Sequence, residues 1–477
     1  MPSPRARTAV PPAAPRVFPF RPIQYAQAVG AIGASANVSR LIAPPYDVLD
    51  ALSKEALLAG GDRNIVAIDL PHIPAKDLGP PEAYRGSAVR LEEWLKDGTL
   101  VQRERPAMFC YRETFEFNGK TTRRTGMACT LEVRAFGPAK GGGILPHEQT
   151  FSGPKEDRLA LMKVTKCQLS PIFGLHQDDQ GAAAALLARI CDARQPDVTA
   201  TTADGTRHEV WTIDDDATIA AYQSALAGED VFIADGHHRY NTTMNYLREL
   251  EKAGAVAADH PARRCMFVLV SMSDAGLVIG PTHRVIGGMA DYTFHAFAGS
   301  VRGELFLTEL PEKGEDGLRT IESAMEKGAK KSGKNVLGLY DFASRRAYLA
   351  TPVEPDPLAF DKRFVAMPHE WRTLDVALCQ HLIIEKFCQP LAGGKGKNAE
   401  PLKWAFPHSI GEVIDIGAGI ERGSGGGKGF VPQLAVIVRP TPLESVRVIS
   451  RANELMPQKS TFFYPKIATG LFVNPVG

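Results

Sequence analysis

The pattern of apolar and polar residues is clearest between positions 231 and 250. A short apolar run starts at Val231 and ends at Asp235-Gly236, which predicts a buried strand. Beyond it, apolar residues recur every three or four positions, as on one face of a helix: Tyr240, Met244, Leu247 and Leu250. The pattern therefore predicts a strand that leads directly into a helix, with Asp235 near the N-cap.

Other segments predict a mixture of strands and helices. The dipeptide Asn118-Gly119 predicts a tight turn that joins strands at residues 107–118 and 123–135. Further strands are predicted at residues 64–70 and 170–176, and helices at residues 80–97, 154–166 and 182–191. The predicted fold class is therefore α/β, in its mixed α+β form.

Composition suggests four segments. The predicted segments are a disordered, Pro- and Arg-rich tail at 1–16, an N-terminal α/β segment at 17–100, an α/β core at 101–290 and a C-terminal α+β portion at 291–477. Flexible insertions rich in Gly, Lys or Glu are expected in the last portion, at residues 312–334, 392–400 and 423–429.

Overall composition argues against a nucleic-acid-binding, a disulfide-rich and a membrane-spanning protein. Lys plus Arg number 55 and Asp plus Glu 54, so the net charge of +1 gives no electrostatic indication of nucleic-acid binding. The seven cysteines contain no C-x-x-C pair, which favours reduced thiols over a disulfide framework. No secretory signal and no membrane-spanning apolar run is evident, so we expect a cytoplasmic protein.

The candidate chemistry is concentrated at the predicted strand-to-helix turn, Asp235-Gly-His-His-Arg-Tyr240. Free amides and the dipole at a helix start attract anions. His237, His238 and Arg239 add side chains able to hold or transfer a phosphoryl group. The alternative is an ordinary corner in which Asp235 caps the helix and Arg239 forms an ion pair.

Three other segments carry candidate site residues. His147 and Glu148 lie in a loop, where Glu148 is a possible general base, and Asp47 ends a stiff Pro-Pro loop. Lys155, Asp157 and Arg158 fall in the first turn of the next helix, although a solvated surface helix would also explain them. Near the C-terminus, two lysines stand close to two hydroxyl groups, as in many anion sites; these residues are Lys459, Ser460, Thr461 and Lys466. A strand with one aromatic face is equally consistent with this segment.

Several known motifs are absent. The run from Gly423 to Gly429 is not a P-loop, because Arg422 replaces its first glycine and Lys428 is followed by glycine. The chain also contains no H-E-x-x-H and no G-x-S-x-G. His237 and His238 are adjacent, which is the wrong spacing for one metal on a single helix face.

Together these motifs resemble the bacterial and archaeal family named domain of unknown function 1015, over nearly the whole chain after the tail. The matching motifs are Ala43-Pro-Pro-Tyr-Asp-Val48, Leu145-Pro-His-Glu-Gln-Thr150, Pro154-Lys-Glu-Asp-Arg158, Leu169-Ser-Pro-Ile-Phe173, Ile233-Ala-Asp-Gly-His-His-Arg-Tyr240, Leu374-Asp-Val376 and Lys459-Ser-Thr-Phe-Phe-Tyr-Pro-Lys466.

The strand–Asp-Gly-x-His-Arg–helix element is also similar, over about twenty residues, to the ParB/sulfiredoxin-like fold. That resemblance implies a nucleotide-binding core with phosphates near Gly236, His238 and Arg239. Free serine kinases fit this chain best among those relatives. The neutral net charge and the lack of a helix-turn-helix disfavour chromosome partitioning, and His237 replaces the cysteine that sulfiredoxin needs.

The resulting hypothesis is a phosphoryl-transfer enzyme that uses ATP or ADP, with Mg²⁺, and a small hydroxyl substrate such as serine. The expected ligand is a small phosphorylated molecule. Glu148 or Asp47, with His147 and His238, would carry the catalysis. Asp157 or Asp235 would hold Mg²⁺ through water. Two alternatives stay open: a nucleotide-binding switch without turnover, and a metal-dependent hydrolase that uses His147, His237 and His238.

Overall fold

The chain divides into two compact units. The structure is a computed structural model that describes residues 16–30, 33–75, 77–148, 152–393, 401–420 and 429–477. The first unit comprises residues 1–145, 151–277 and 465–477, and the second comprises 146–150 and 278–464. The main boundary thus differs from the predicted one near 290, because the strand that begins at Val278 pairs with residues 462–464 of the second unit.

Short strands and helices alternate along the described residues. In chain order the strands are β1 (Val17–Phe18), β2 (Ile23–Tyr25), β3 (Ala36–Asn37), β4 (Leu100–Gln102), β5 (Met108–Phe117), β6 (Lys120–Glu132), β7 (Ile144–Leu145), β8 (Cys167–Gln168), β9 (Ile172–His176), β10 (Val198–Thr201), β11 (Arg207–Ile213), β12 (Val231–Asp235), β13 (Arg264–Ser271), β14 (Val278–Gly280), β15 (Arg284–Gly287), β16 (Leu305–Lys313), β17 (Leu337–Asp341), β18 (Arg346–Pro352), β19 (Lys403–Ala405), β20 (Leu434–Ile437), β21 (Phe462–Tyr464) and β22 (Asn474–Pro475). The α-helices are α1 (Ala26–Val29), α2 (Ala51–Ala59), α3 (Val66–Asp69), α4 (Pro81–Lys96), α5 (Ser152–Thr165), α6 (Ala182–Ala193), α7 (Asp216–Ala225), α8 (His237–Ala253), α9 (Phe294–Ser300), α10 (Gly314–Ser332), α11 (His369–Arg372), α12 (Asp375–Ala377), α13 (Ile410–Gly417) and α14 (Leu443–Arg451). A 3-10 turn spans Tyr46–Val48, and a π-helix spans Leu378–Cys388.

The first unit is built on a mixed ten-stranded sheet. Its order is β3-β10-β11-β5-β6-β13-β9-β12-β7, with β1 beside β6. Asn118 and Gly119 form the predicted turn between β5 and β6, both with positive φ as a two-residue hairpin turn requires. Helices α6, α7 and α8 contribute the buried side chains of Leu186, Tyr222 and Met244 to one core. In that core they pack with side chains of the sheet such as Trp211 of β11 and Phe267 of β13. The mixed α/β fold class is confirmed.

The second unit has its own six-stranded sheet. The strand order is β16-β18-β17-β20-β15-β19, and β14 pairs separately with β21. Helix α10 packs on this sheet through Leu318, Ile321 and Met325, which are all buried. Each of these apolar side chains contributes about 1.5–3 kcal/mol when it is fully buried.

The structure corrects three local predictions. Residues 64–70 were predicted as a strand, but the side chain of Asn64 accepts a hydrogen bond from the amide of Val66 at 3.0 Å and a helical turn, α3, follows. The stretch 312–334 was predicted as a flexible insertion, yet most of it is the amphipathic helix α10. Arg16, assigned to the disordered tail, is buried and donates to the carbonyl of Gly141 at 2.8 Å. Most of the tail and of the other two predicted insertions lies outside the described residues.

Candidate functional site

The turn between β12 and α8 has the predicted strand-to-helix geometry. Gly236 is the N-cap residue of α8, with φ +96°, and glycine has no side chain that could cap the helix. The positive φ favours glycine, because a side chain there is strained. Asp235 is therefore the last residue of the strand rather than the cap. The pairing of β12 with β9 shifts between Ile233 and Asp235, and such a bulge redirects the side chain that follows it.

Two cations meet on the carboxylate at this turn. Asp235 accepts from Arg239 at 2.5 Å through one oxygen and from Lys466 through the other. These side chains are 15%, 10% and 16% exposed respectively, so the group lies just below the surface. Burial opposes ionisation, but Lys466 and Arg239 hold the pKa of Asp235 well below its usual range. We call Asp235, Arg239 and Lys466 the cation cluster.

Arg239 is the centre of a wider electrostatic environment. Its guanidinium also donates to the carbonyl of Pro171. Burial lowers the pKa of Arg239, but the charges of Asp235 and Asp47, together with Tyr46 and Asp69, outweigh it and raise that pKa. Asp47 itself is exposed in the turn that follows the double proline. The structure thus brings the predicted residue Asp47 into electrostatic range of Arg239.

Arg124, which the sequence did not single out, positions Lys466. Its guanidinium is 1% exposed and donates to the carbonyl of Pro465 at 2.7 Å. The same guanidinium pairs with buried Glu113. These contacts fix the backbone beside Lys466, and no local pattern marks a partner that lies 341 positions away in the chain.

The predicted residues of α5 belong to a buried network instead of an open anion site. Arg158 is 6% exposed and pairs with Asp157 at 2.6 Å and with Asp69 at 3.4 Å. Asp157 is fully buried and also contacts His72 at 2.6 Å and the hydroxyl of Tyr84 at 2.7 Å. Arg158 lies between two carboxylates, so this network has no net positive charge with which to bind phosphate. Asp157 is fully buried among Arg158, His72 and Tyr84, which argues against metal binding.

A small cavity separates this network from the cation cluster. It measures about 40 Å³ and is lined by Asp69, Arg158, Ser170 and Arg239, among others. Lys155 is half-buried on α5, and its carbonyl oxygen accepts from Thr242 of α8 at 3.5 Å. By the same measure one water needs about 10–15 Å³, so the cavity can hold a few ordered waters and is too small for a nucleotide.

Two further predictions at the turn are corrected or refined. Tyr240 was predicted to contact phosphate, but it is 0% exposed and its hydroxyl donates to the carbonyl of Arg134 at 2.8 Å. Its ring packs against Phe136 and Phe267 in the core. Of the two histidines, His237 is buried and His238 is half-buried, so they face different surroundings as expected for successive helical positions.

The other predicted residues meet in the second unit. Oε1 of Glu148 accepts from the amides of Ser460 and Thr461, at 2.9 and 3.0 Å, and from the Thr461 hydroxyl at 3.1 Å. Nε2 of His147, which is buried, lies 2.7 Å from the Thr461 hydroxyl. Lys459 is exposed and has φ +58°. We call Glu148, Ser460 and Thr461 the turn clamp, because the carboxylate holds a backbone turn.

Within the described residues, no group of three or more His, Cys, Asp or Glu side chains is arranged to hold a metal ion. In the same part of the chain, no helix is long and apolar enough to cross a membrane.

Comparisons with solved structures give only weak matches. A free serine kinase in complex with AMP shares 12% identity and a TM-score of 0.33, covering 70% of this chain and 92% of that one. A conserved hypothetical protein from Pyrococcus furiosus shares 13% identity and a TM-score of 0.32, and the match covers 69% of this chain and 91% of that one. SbnI with a C-terminal truncation, from Staphylococcus aureus, shares 10% identity and a TM-score of 0.30, and the match covers 69% of this chain and 83% of that one. TM-scores this low support no inference about the function of this chain.

Comparison by sequence identifies the family. No curated protein matches the chain. The family model described as "Protein of unknown function (DUF1015)" matches residues 17–377, which is more than half of the 477 residues. The chain therefore belongs to the DUF1015 family.

Proposed function

We propose that the protein is a phosphoryl-transfer enzyme that binds the phosphate of ATP, ADP or a small phosphorylated molecule at the turn between β12 and α8. The observation that carries the proposal is the position of the cation cluster at the start of α8. Asp235, Arg239 and Lys466 together have a net charge of +1, beside a 17-residue helix whose dipole adds positive potential at the same end.

The carboxylate of Asp235 gives this site fixed cations. Arg239 and Lys466 would otherwise move on long side chains, but each is held by one oxygen of the same carboxylate. Phosphoryl transfer depends mainly on positioning and on electrostatic stabilisation of charge on the transferred group. Cations held in place before the substrate binds supply both.

Asp47 fits the role of catalytic base better than Glu148. Asp47 is exposed and interacts electrostatically with Arg239, so it can meet a substrate hydroxyl close to a bound phosphate. Oε1 of Glu148 already accepts from three donors of a backbone turn. We therefore assign Glu148 to the stability of that turn.

The finer parts of the proposal are a small hydroxyl substrate, with serine the first to test, and a requirement for Mg²⁺. The donor sets of the predicted metal residues do not fit a direct Mg²⁺ site. Both oxygens of Asp235 contact cations, and Asp157 contacts Arg158, His72 and Tyr84. No step of the proposed reaction is assigned to a protein-bound metal.

Ligand binding is the first test. ATP, ADP, pyrophosphate and inorganic phosphate are titrated by calorimetry into the wild-type protein, Lys466→Met and the control Lys163→Met. Lys163 is a half-exposed lysine on α5 that pairs with Glu249. We expect one of these ligands to bind the wild type and the control equally, and Lys466→Met to bind at least tenfold more weakly. Equal affinity for all three proteins contradicts the site.

Turnover is the second test, and it separates an enzyme from the switch. Asp47→Asn is compared with Asp62→Asn, a control at another exposed aspartate of the first unit. With ATP and serine, we expect the wild type and Asp62→Asn to form product. Asp47→Asn should form at least 100-fold less and still bind ATP normally. Binding without product in the wild type supports the switch instead.

A further inference from the structure

Two cysteines lie side by side in the first unit, far apart in the sequence. Cys110 on β5 and Cys191 on α6 are 81 positions apart, with their sulfur atoms at 3.5 Å. Cys110 is fully buried, and Cys191 is partly exposed. All seven cysteines lie in described residues, and among them this is the one thiol–thiol hydrogen bond.

The surroundings distinguish the two thiols. The hydrogen bond from Cys110 and the charge of Arg112 lower the pKa of Cys191, against burial and the charges of Glu209 and Asp192. Burial raises the pKa of Cys110 well above its usual value. A partly exposed thiol with thiolate character is the one that oxidants attack first. Cys191 is therefore suited to react first, and Cys110 to react second.

Arg112 is itself held in place beside Cys191. It pairs with Glu209 at 2.9 Å, and its guanidinium lies 4.8 Å from the centre of the Trp211 ring. The cation that favours the Cys191 thiolate is thus part of a packed surface on β5 and β11. The thiolate environment belongs to the folded unit and does not depend on a mobile side chain.

We propose that Cys110 and Cys191 form an oxidation site at which a peroxide converts the two thiols into an intramolecular disulfide. The Cys191 thiolate attacks one peroxide oxygen, the O–O bond breaks, and sulfenic acid and hydroxide form. The Cys110 thiol then attacks the Cys191 sulfur, the S–O bond breaks, and water leaves. In sum, two thiols and hydrogen peroxide give one disulfide and two waters, with two electrons passing from sulfur to oxygen.

Forming the bond requires only a small movement. A disulfide is about 2.05 Å long, so the sulfur atoms must approach by roughly 1.5 Å from their present contact. The bond would join the central strand β5 to α6. This site shares no residue with the cation cluster and does not rest on the proposed function.

The experiment counts thiols in the full-length protein. Reduced wild type, Cys191→Ser and the buried control Cys129→Ser are treated with stoichiometric hydrogen peroxide, denatured and titrated with a thiol reagent. We expect the wild type to fall from seven thiols to five and the control from six to four, whereas Cys191→Ser keeps its six. Peptide mapping should show Cys110 linked to Cys191, with a mass loss of about 2 Da.

A second variant gives a positive signal that a misfolded Cys191→Ser protein could not explain. In Cys110→Ser, the sulfenic acid on Cys191 has no partner and should be trapped by a dimedone reagent, whereas the wild type is labelled at least tenfold less. Urea unfolding verifies that each variant is folded. Seven thiols left in the treated wild type, or a bond between two molecules through Cys191, would overturn the proposal.

Discussion

The cation cluster and the turn clamp contain similar residues but use them in opposite ways. In the first unit, the carboxylate of Asp235 fixes two cations at the start of α8. In the second unit, the carboxylate of Glu148 is occupied by two amides and a hydroxyl of its own backbone turn. Both carboxylates accept several hydrogen bonds, but the partners of Asp235 are two cations, so the first arrangement has a net positive charge. The role of a carboxylate therefore depends more on the groups that it contacts in the folded protein than on the residues beside it in the sequence.

Removing the carboxylate of the cation cluster should have the largest effect. Asp235→Ala leaves Arg239 and Lys466 close together and largely buried without their shared anion. Loss of one partner from a buried ion group costs about 3–5 kcal/mol. Urea unfolding should show a loss of this size, against less than about 0.5 kcal/mol for the exposed control Asp62→Ala. A small loss would mean that water solvates the two cations and that the cluster is an exposed ion pair.

Mild acid should lower the free energy of unfolding without protonating Asp235. Burial lowers the pKa of His176 and of His208 in the first unit to about 4, and that of His283 in the second to about 3. An unfolded histidine has a pKa of about 6.5, so the unfolded chain binds the extra proton and stability falls as the pH drops below that value.

Between pH 6.5 and 5, we expect each histidine to remove about 1.6 kcal/mol of unfolding free energy, because one pKa unit corresponds to about 1.4 kcal/mol and the unfolded imidazole is already half protonated at pH 6.5. Urea unfolding at pH 7, 6 and 5 measures this loss. His208→Gln should reduce the slope, because glutamine does not titrate. A stability that stays constant over this range would show that these imidazoles accept protons in the folded state.

Glu148→Gln tests the structural role of the turn clamp. The amide retains one acceptor oxygen but loses the charge, so we expect a loss of about 1–2 kcal/mol of unfolding free energy. Ligand affinity and turnover should stay within twofold of the wild type. The control Glu156→Gln, at an exposed position, should change stability by less than about 0.5 kcal/mol. Turnover lost without a change in stability would instead make Glu148 the base.

The smallest expected effect on stability is that of Gly236→Ala. The left-handed φ of +96° strains any side chain, and an added Cβ would lie 3.1 Å from the Arg239 guanidinium. We expect a loss of about 1 kcal/mol together with weaker phosphate binding. Gly254→Ala is the matched control, because Gly254 ends the same helix with extended backbone and open space around it. Equal ligand affinity in both variants would place the ligand elsewhere.

Local patterns predicted much of the first unit. The spacing of Tyr240, Met244 and Leu247 predicted the buried face of α8, and Asn118-Gly119 predicted the hairpin of β5 and β6. These signals work because the periods of helix and strand are local properties of the backbone. The prediction was wrong at α3, where a side-chain hydrogen bond of Asn64 starts a helical turn in an apolar segment.

The sequence by itself determined the mixed α/β class, the family and the strand-to-helix turn with its polar residues. Only the tertiary structure decided which residues share a site: it paired Asp235 with Lys466 across 231 positions, committed Arg158 to Asp69 and Asp157, and turned Tyr240 into the core. The physical reason is that a pattern of a few residues reports the local backbone. The partner of a buried charge depends on how distant strands and helices pack, and no local period records that packing.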